Sequence, residues 1–305
     1  MKDAVNSKDW HEPVKLTGPF NGSFTGPDAA ANLLRFARAL IPVVHEAGVI
    51  ELKYYHGDID QMDKTDGTPV TLADQEAEKI IEAHLARLAP GIPIVGEEAT
   101  AAGAIPDISS GTFFLVDPLD GTREFIKRSG DFTVNIALMV DFKPVMGIIY
   151  APLCGALYIA GGNDAFSIKN GKEEKLQIRN VPDTGLTVLV GNRPDDKKNT
   201  AELLKDRKIE LTTNRSSSLK FCAMAAGEAD IYPRIGPTSE WDTAAAEAIL
   251  RAAGGQVVTL AGDPLRYGKA AEKFLNPDFV AFGSAAAWPL SRDAAKPAPV
   301  FRNCL

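Results

Sequence analysis

The chain has 305 residues, a formal net charge of −7, 45% hydrophobic residues and 24% charged residues. This composition is ordinary for a globular protein, so it excludes a disordered chain and a coiled-coil rod, and the length suits one large domain or two smaller ones. The acidic balance disfavours a protein that grips the nucleic-acid backbone, whereas a small anionic substrate can still bind through metal ions or local basic side chains.

The cysteines and the apolar runs bear on the cellular compartment. Cys154, Cys222 and Cys304 are widely spaced and form no Cys-x-x-Cys pair, which argues against a disulfide framework and against a zinc site. The first 26 residues contain no basic-then-apolar run, and no apolar stretch approaches the ~20 residues that a transmembrane helix needs. We therefore expect a cytoplasmic protein with no signal peptide and no transmembrane segment; a peripheral position at the inner membrane stays open.

Two helices are predicted near the start of the chain. A loose arm with Gly-Pro steps comes first, and Asp28 is then suited to cap a helix whose apolar residues recur at helical spacing over residues 33–44. Pro42 predicts that this helix is kinked or short. A second helix is predicted over residues 74–88, ended by Pro90-Gly91.

Strands dominate the next stretch. Short apolar runs at residues 92–95 and 113–116 predict strands, and the runs at 132–140 and 144–151 predict an antiparallel hairpin. Later in the chain, strand patterns alternate with helical ones at residues 187–190, 201–205, 219–226, 243–253 and 256–260. The first half is therefore predicted to be α+β and the second half α/β.

The domain boundaries follow from these patterns and from the turn-forming residues near position 180. We expect an N-terminal arm over residues 1–27, an α+β metal-binding domain over 28–180, an α/β domain that completes the active site over 181–290, and a tail over 291–305.

The segment Asp117-Pro118-Leu119-Asp120-Gly121-Thr122 follows one of the predicted buried strands. If the proline stiffens the turn, the two aspartates and the Leu119 carbonyl can face one metal ion, and such oxygen donors select magnesium or manganese over zinc. Gly121 allows close backbone approach, so the amides of residues 121–123 can cradle a phosphate. Taken alone, the segment is equally typical of a tight turn, and both interpretations stay open at this point.

Other acidic residues bear on this choice. Glu97 follows a second apolar strand and is either a bridging metal ligand or part of a solvated acidic turn, to which Glu98 is assigned. Asp242 precedes an alanine-rich helix, so it either caps that helix or supplies a metal ligand from the second half of the chain. Asp74 is interpreted mainly as a helix cap.

The sequence lacks the residue patterns that several other catalytic mechanisms require. The four histidines lie apart from these motifs, and the sequence contains no Gly-x-Ser-x-Gly motif, no Cys-His arrangement and no Gly-x-x-x-x-Gly-Lys-Ser/Thr loop. Nucleophilic serine or cysteine catalysis and a nucleotide-hydrolysing P-loop are therefore disfavoured.

Three motifs carry a family resemblance. In this order, Gly-Glu-Glu at 96–98, Asp-Pro-Leu-Asp-Gly-Thr at 117–122 and Trp-Asp-Thr-Ala-Ala at 241–245 resemble the inositol monophosphatase superfamily. Further segments of the sequence resemble the 3′(2′),5′-bisphosphate nucleotidase branch of this superfamily, at residues 66–71, 123–127, 130–138, 217–222 and 232–238. The match covers about residues 30–282, and Ser216 departs from it where many relatives have glycine.

The resemblance implies a fold, a reaction and a cofactor. The implied fold is the layered αβαβα sandwich of the inositol monophosphatase and fructose-1,6-bisphosphatase type. The implied reaction is the hydrolysis of adenosine 3′,5′-bisphosphate to AMP and phosphate, which supports sulfate assimilation. Two or more Mg²⁺ ions per site are implied, with Mn²⁺ as an alternative and Li⁺ as an inhibitor. A small nucleotide bisphosphate is the expected partner, nucleic acid is not, and a homodimer is expected only by association with relatives.

Site residues carry over position by position. The resemblance implies metal ligands at Glu97, Asp117, the Leu119 carbonyl, Asp120 and Asp242. It implies that Asp66, Glu97 and Thr122 act in catalysis, by positioning and activating the attacking water. It implies substrate contacts for Glu97, Asp120, Gly121, Thr122, Arg123, Ser217, Lys220, Arg234 and Asp242.

Two alternatives to this function remain. The nearer one is the same chemistry on another ester, such as inositol monophosphate or a sugar phosphate; Lys220 and Arg234 favour a substrate with a second phosphate. The alternative of a different class is a catalytically silent protein that binds metal or nucleotide.

Overall fold

The computed structural model describes residues 18–57, 61–63, 69–130, 132–193, 195–215 and 217–288. The helices are α1 (Ala29–Ala39), α2 (Ile41–His56), α3 (Leu72–Leu88), α4 (Glu97–Ala101), α5 (Thr122–Ile126), α6 (Asp196–Leu203), α7 (Leu219–Ala225) and α8 (Trp241–Ala252). The strands are β1 (Gln61–Asp63), β2 (Pro69–Thr71), β3 (Ile94–Gly96), β4 (Phe113–Asp120), β5 (Thr133–Val140), β6 (Lys143–Ala151), β7 (Ala156–Gly161), β8 (Asp164–Lys169), β9 (Lys172–Lys175), β10 (Leu186–Val190), β11 (Ile209–Asn214), β12 (Ile231–Arg234), β13 (Thr238–Ser239), β14 (Gln256–Thr259), β15 (Leu275–Asn276) and β16 (Phe279–Phe282).

Two large sheets and three helical layers alternate through the described chain, and two further sheets, β1-β2 and β13-β15, have two strands each. A seven-stranded sheet has the order β3-β4-β5-β6-β7-β8-β9, and a five-stranded sheet has the order β11-β10-β12-β16-β14. Helices α1, α2 and α3 cover one face of the larger sheet, α8 covers its other face and also contacts β14, and α6 packs on the outer face of the smaller sheet. The predicted layered αβαβα sandwich is confirmed.

The central strands of the larger sheet are buried on both faces. In β4, Phe114 and Val116 face the cluster under α1 to α3, whereas Phe113 and Leu115 face α8. A strand covered on both sides reads as a continuous apolar run, which is why the sequence pattern found these strands. The predicted hairpin is confirmed as β5 and β6, joined at Asp141-Phe142.

The contact between α8 and the larger sheet is unusually close. Gly147 of β6 is buried against the backbone of Ala245, and a Cβ added at Gly147 would overlap the Ala245 carbonyl. On the opposite face, Gly161 of β7 meets the backbone at Leu34 of α1 in the same way. Glycine is required at both positions because no side chain fits between the two backbones.

The first helical pattern is divided into two helices. α1 ends at Ala39, Leu40 links the two, and Pro42 lies in the first turn of α2, where its missing N–H costs no hydrogen bond. The described segment before α1 packs against α1 and α3: the Phe20 ring centre lies 5.1 Å from that of Phe36, and the Phe20 amide donates to the Leu88 carbonyl at 2.7 Å. Most of the predicted N-terminal arm, residues 1–17, and the predicted tail lie outside the described residues.

Within the part of the chain that the structure describes, none of the helices has both the length and the apolar character required to cross a membrane.

Glu247 is a buried acid on α8. Its Oε2 accepts a hydrogen bond from the Tyr267 hydroxyl at 2.7 Å, and Arg251 Nη1 lies 3.6 Å from its Oε1. Burial is the main cause that raises the pKa of Glu247 from 4.5 to about 7. The folded protein therefore favours the neutral form of this side chain.

A pH-dependent stability follows from Glu247. Between pH 4.5 and 7 the folded chain keeps a proton that the unfolded chain releases, so this group makes the protein less stable as pH rises through that window. Glu247→Gln removes the titration. From about pH 5 to about pH 8, the free energy of unfolding of the wild type should fall relative to that of the variant by about 2–3 kcal/mol. Urea denaturation at several pH values measures this, with the exposed Glu202→Gln on α6 as the control. Parallel pH profiles for wild type and Glu247→Gln would contradict the prediction.

Candidate active site

The first acidic residues of the site come from the end of β4. This strand pairs antiparallel with β5, and its register shifts between Asp117 and Asp120. Asp117 is buried, and its Oδ1 accepts a hydrogen bond from the Leu119 amide at 3.0 Å. This local bond closes the turn at Pro118, and the irregularity leaves both aspartates at the same end of the sheet.

Glu97 reaches the site from the neighbouring strand. β3 runs parallel to β4, with Gly96 opposite Val116. Because the carboxyl ends of parallel strands lie at the same edge of a sheet, the residue after Gly96 emerges beside Asp117. That residue is Glu97, the first residue of α4. Glu98, which was assigned to an acidic turn, follows Glu97 in the first turn of this short helix.

Asp242 arrives from the second half of the chain. It is the second residue of α8, whose N-cap position is Glu240, so Asp242 does not cap the helix through the N-cap position. Its Oδ2 accepts a hydrogen bond from the Ser239 amide at 2.9 Å. Glu97, Asp117 and Asp242 each place one carboxylate oxygen within 4.8 Å of the others. Three acidic residues that are far apart in sequence thus converge on one point.

The electrostatics of this cluster favour a cation. Burial, followed by the charges of Asp120 and Glu97, raises the pKa of Asp242 to about 7. Gathering carboxylates in a shielded place is unfavourable without positive charge between them. The donors are all hard oxygen atoms, with no histidine or cysteine in the cluster. The residues therefore fit Mg²⁺ or Mn²⁺ and not Zn²⁺.

Asp120 is held by the second half of the chain. Its Oδ2 accepts hydrogen bonds from the Ser218 amide at 2.7 Å, the Ser217 hydroxyl at 2.8 Å and the Ser218 hydroxyl at 3.0 Å. Ser217 has a left-handed backbone with φ of 57°, and its hydroxyl also bonds to Thr133 Oγ1 at 2.6 Å. Ser217, predicted as a substrate contact, thus orients the Asp120 carboxylate in this structure.

Thr122 is bonded to an acid that the sequence interpretation treated mainly as a cap. Its hydroxyl has one proton and two acceptors, Asp74 Oδ1 and the Leu119 carbonyl, each at 3.2 Å. The other oxygen of Asp74 accepts from the Thr71 amide at 2.8 Å and from the Thr71 hydroxyl at 2.7 Å, within a capping box. Asp66, the acid predicted to act with Thr122, lies outside the described residues.

The Asp74 contact has only a partial sequence signal. The spacing Thr71-x-x-Asp74 indicates a capping box, in which one carboxylate oxygen reaches back to the cap residue. The second oxygen is then available to another part of the chain. Nothing local shows that this part is Thr122, which is 48 positions away.

The Lys220 ammonium donates its hydrogen bonds to backbone carbonyls of the protein. Its ammonium donates to the Ser217 carbonyl at 2.8 Å and to the Arg215 carbonyl at 3.3 Å, and it lies 5.0 Å from the centre of the Tyr232 ring. Burial is the main cause that lowers its pKa to about 8. Lys220 therefore supports the segment that carries Ser217 and brings positive charge close beneath the site.

Two of the predicted cations lie closer to solvent. Arg234, at the end of β12, donates from Nε to Thr238 Oγ1 at 2.6 Å and from Nη2 to the Pro237 carbonyl at 2.9 Å. Arg123 is exposed on α5. That helix follows Gly121, whose left-handed backbone with φ of 103° lets the chain turn sharply after Asp120.

The comparisons with known proteins identify the family. The model of the inositol monophosphatase family matches residues 32–283, and the chain belongs to that family. Within it, the chain resembles the CysQ branch. The 3′(2′),5′-bisphosphate nucleotidase CysQ of Shigella flexneri is 41% identical over 239 residues, which cover 78% of this chain and 95% of the relative. The protein of the same name from Escherichia coli strain K12 is 40% identical over the same shares of the two chains.

Solved structures give the same result. CysQ from Bacteroides thetaiotaomicron, described as a bacterial member of the inositol monophosphatase family, is 35% identical with a TM-score of 0.68, over 82% of this chain and 97% of that one. The Thermotoga maritima IMPase is 21% identical with a TM-score of 0.66, over 80% and 90% of the two chains, and bears on the fold alone. The predicted family, branch and fold are confirmed.

Glu78 of α3 fixes the start of α4. Its Oε2 accepts a hydrogen bond from the Glu98 amide at 2.9 Å, and its Oε1 accepts one from the Ala99 amide at 2.7 Å. A Cβ at Gly96 would lie only 2.6 Å from the Glu78 carboxyl carbon. The Glu78 carboxyl fits here because residue 96 is a glycine and has no side chain. Both hydrogen bonds lie immediately after Glu97 in the chain, so they fix the first turn of α4 and with it the backbone of Glu97.

Glu78→Gln is expected to weaken metal binding. The amide nitrogen of glutamine cannot accept from a backbone N–H, so one of the two contacts is lost and Glu97 is less well placed. Loss of such supporting hydrogen bonds typically weakens metal affinity about 10- to 100-fold. Calorimetric titration with Mg²⁺ measures the change, with Glu82→Gln, one turn further along α3, as the matched control. Equal Mg²⁺ affinity for wild type and Glu78→Gln would show that Glu97 does not depend on Glu78.

Proposed function

We propose that this protein hydrolyses adenosine 3′,5′-bisphosphate to AMP and phosphate in a reaction that depends on Mg²⁺. The observation that carries the proposal is the convergence of Glu97, Asp117 and Asp242 beside Asp120 and Thr122. The activity for which its CysQ relatives are named, 3′(2′),5′-bisphosphate nucleotidase, supports the choice of substrate. Such an activity would support sulfate assimilation, and we place it in the cytoplasm and leave a homodimer as a further proposal.

The carboxylates would hold the metal ions. Glu97, Asp117, Asp120 and Asp242 supply the side-chain oxygens, and the Leu119 carbonyl is the proposed backbone ligand. Bound Mg²⁺ would supply positive charge that stabilises the phosphate and favours ionisation of water. Li⁺, a competitor for such sites, is the proposed inhibitor, and Mn²⁺ is a proposed substitute. The hydrogen bonds from Ser217 and Ser218 would orient Asp120 for this task.

Thr122 and Asp74 would position the attacking water. Because the hydroxyl proton of Thr122 is directed at Asp74 Oδ1 and at the Leu119 carbonyl, the lone pairs of Thr122 Oγ1 remain to accept a hydrogen bond from water. A water held there is oriented toward a phosphate cradled by the amides of residues 121–123. The described part of the chain brings no serine–histidine or cysteine–histidine pair to the cluster, so direct attack by water is the simplest route. Asp66 stays a prediction for the same step.

The proposed bisphosphate preference rests on two cations of the second half of the chain, Arg234 at the end of β12 and Lys220 on α7. Arg234 has one guanidinium nitrogen, Nη1, that is not used in the hydrogen bonds to Thr238 and Pro237. Lys220 adds positive charge from beneath. An inositol monophosphate has no second phosphate to meet these groups, whereas adenosine 3′,5′-bisphosphate does.

A substrate panel tests the proposed reaction. Phosphate release is measured at constant Mg²⁺ with adenosine 3′,5′-bisphosphate, inositol 1-phosphate and fructose 1,6-bisphosphate, and repeated with Li⁺. We expect the highest kcat/KM for the adenosine compound, loss of turnover without a divalent cation, and no turnover for Asp120→Asn. A preference for inositol 1-phosphate would replace the proposed substrate. No phosphate release from any of the three would favour a catalytically silent binding protein.

Asp74→Asn separates catalysis from helix capping. Asparagine keeps the shape of the side chain but accepts weakly from the Thr122 hydroxyl, so kcat should fall about 100-fold, a typical loss when a proton-handling group is removed. Thr71→Val is the matched control: it removes the capping hydroxyl, which costs about 1 kcal/mol of stability, and leaves the Asp74 contact to Thr122 intact. Steady-state kinetics and thermal unfolding of both variants are compared. An equal loss of kcat in both would reduce Asp74 to a structural cap.

A further inference from the structure

The face of β5 that packs against α8 carries a buried polar residue, Asn135, which the proposed mechanism does not use. Its neighbours on that face, Ala137 and Met139, belong to the apolar cluster at α8, and Asn135 itself is only 1% exposed. In the pairing of β5 with β4, Asn135 lies opposite Asp117. A side-chain amide that is shielded from water needs hydrogen bonds within the protein. The place of Asn135 in the sheet puts those bonds next to the acidic motif.

The amide nitrogen of Asn135 donates to two groups of the site. It lies 2.9 Å from Ser218 Oγ and 3.4 Å from Asp120 Oδ2. Because Ser218 Oγ accepts from Asn135, its single proton is left for its own two acceptors. These are Asp120 Oδ2 at 3.0 Å and the Asp242 carbonyl at 3.1 Å. Asn135 therefore determines where the Ser218 hydroxyl donates.

The Ser218 side chain is diverted from its local role. Ser218 occupies the N-cap position of α7, where a serine usually accepts a hydrogen bond from an amide of its own helix. In the described structure of α7, the Ser218 side chain makes no such bond. It joins the end of β4, at Asp120, to the first turn of α8, at Asp242. The contact from β5 thus prevails over the capping preference.

The oxygen of the Asn135 amide has no partner. Among the described residues, Asn135 Oδ1 is buried and accepts no hydrogen bond. A buried acceptor that is left unpaired makes a protein less stable. Turning the amide over would place this oxygen next to the Asp120 carboxylate, where the two oxygens would repel each other. The acidic site therefore sets the orientation of Asn135, although the fold would be more stable without the unpaired oxygen.

We propose that Asn135 is a positioning residue of the metal site and that it makes the fold less stable than an apolar residue would. Its amide holds the Ser218 hydroxyl, which in turn holds the Asp120 carboxylate and the start of α8. This inference rests on the proposed function, which assigns Asp120 and Asp242 as metal ligands. A polar residue that departs from the apolar pattern of a core strand is expected where the strand serves a site. β5 thereby joins the elements that set the geometry of the ligands.

Asn135→Val tests both parts of the proposal. Valine suits a buried strand, and it removes the unpaired oxygen without leaving a buried donor unpaired. Without the amide, the Ser218 hydroxyl can rotate away from Asp120, so the Mg²⁺ affinity should fall about 10- to 100-fold. Calorimetric titration with Mg²⁺, without substrate, measures this. The urea midpoint of the metal-free variant should equal or exceed that of the wild type, a result that a merely structural role of Asn135 would not give.

A second variant tests whether Asn135 acts through Ser218. Ser218→Ala removes the hydroxyl and keeps the backbone amide that donates to Asp120. If Asn135 acts through that hydroxyl, the double variant should bind Mg²⁺ within about threefold of the weaker single variant, whereas independent effects would multiply.

The control variant is Ile136→Val, at the next position of β5. Its side chain faces the opposite cluster, under α1 to α3. Loss of a buried methyl group should lower the urea midpoint. The Mg²⁺ affinity should stay within about twofold of the wild type, because Ile136 belongs to the apolar cluster on the face of β5 away from Ser218. The control therefore shows that lower stability of β5 does not by itself weaken metal binding.

The outcomes separate this inference from the proposed function. Equal Mg²⁺ affinity for wild type and Asn135→Val overturns the positioning role and leaves the proposed function standing. Multiplied losses in the double variant overturn the path through Ser218, and a urea midpoint of Asn135→Val below that of the wild type overturns the stability claim. A wild type that binds no Mg²⁺ overturns the metal assignment of the proposed function, and this inference with it. Loss of Mg²⁺ affinity at an unchanged or raised midpoint supports the inference.

Discussion

The backbone-to-backbone contact between α8 and the seven-stranded sheet at Gly147 is the constraint on which the site depends. Helix α8 is the shared layer between the two sheets, and its first turn carries Asp242. A side chain at Gly147 would move the helix away from the sheet, and with it the carboxylate that completes the acidic cluster. Close packing of small residues here thus sets the distance between residues that are more than 100 positions apart in sequence, Asp117 and Asp242.

The same region stores electrostatic strain. Three carboxylates, those of Glu97, Asp117 and Asp242, converge with Asp120 nearby, and the raised pKa of Asp242 is one measure of the repulsion. Other groups of the chain reduce the repulsion between these carboxylates but do not remove it. Asp120 receives three hydrogen bonds from Ser217 and Ser218, and the ammonium of Lys220 lies under that segment. An arrangement that is unfavourable alone and favourable with a cation is what a metal-dependent site requires.

Much of the first half could be predicted from sequence, because its signals are local. Buried strands such as β4 and β5 give continuous apolar runs, and turn-forming motifs mark their ends. The five-residue helices α4 and α5 were missed because one turn shows no helical period. The exposed edge strand β11 was missed because Ile209 and Leu211 give an apolar alternation that is too short to indicate a strand. Two sets of hydrogen bonds could not be predicted: that between Thr122 and Asp74, and those from Lys220 to backbone carbonyls. Both depend on contacts that exist only after the sheets pack.

The hydrogen bonds from Ser217 and Ser218 to Asp120 affect when the site can form in a newly synthesised chain. The acidic motif is synthesised early, but the groups that orient it are made about a hundred residues later, and Asp242 later still. A nascent chain folds from its N-terminus as it emerges, so its first sheet can form while the site is still incomplete. The acidic cluster is therefore completed only after α8 has been made and has packed on the larger sheet. A translation product that ends before α8 would lack Asp242 and would leave one apolar face of that sheet uncovered, which favours aggregation.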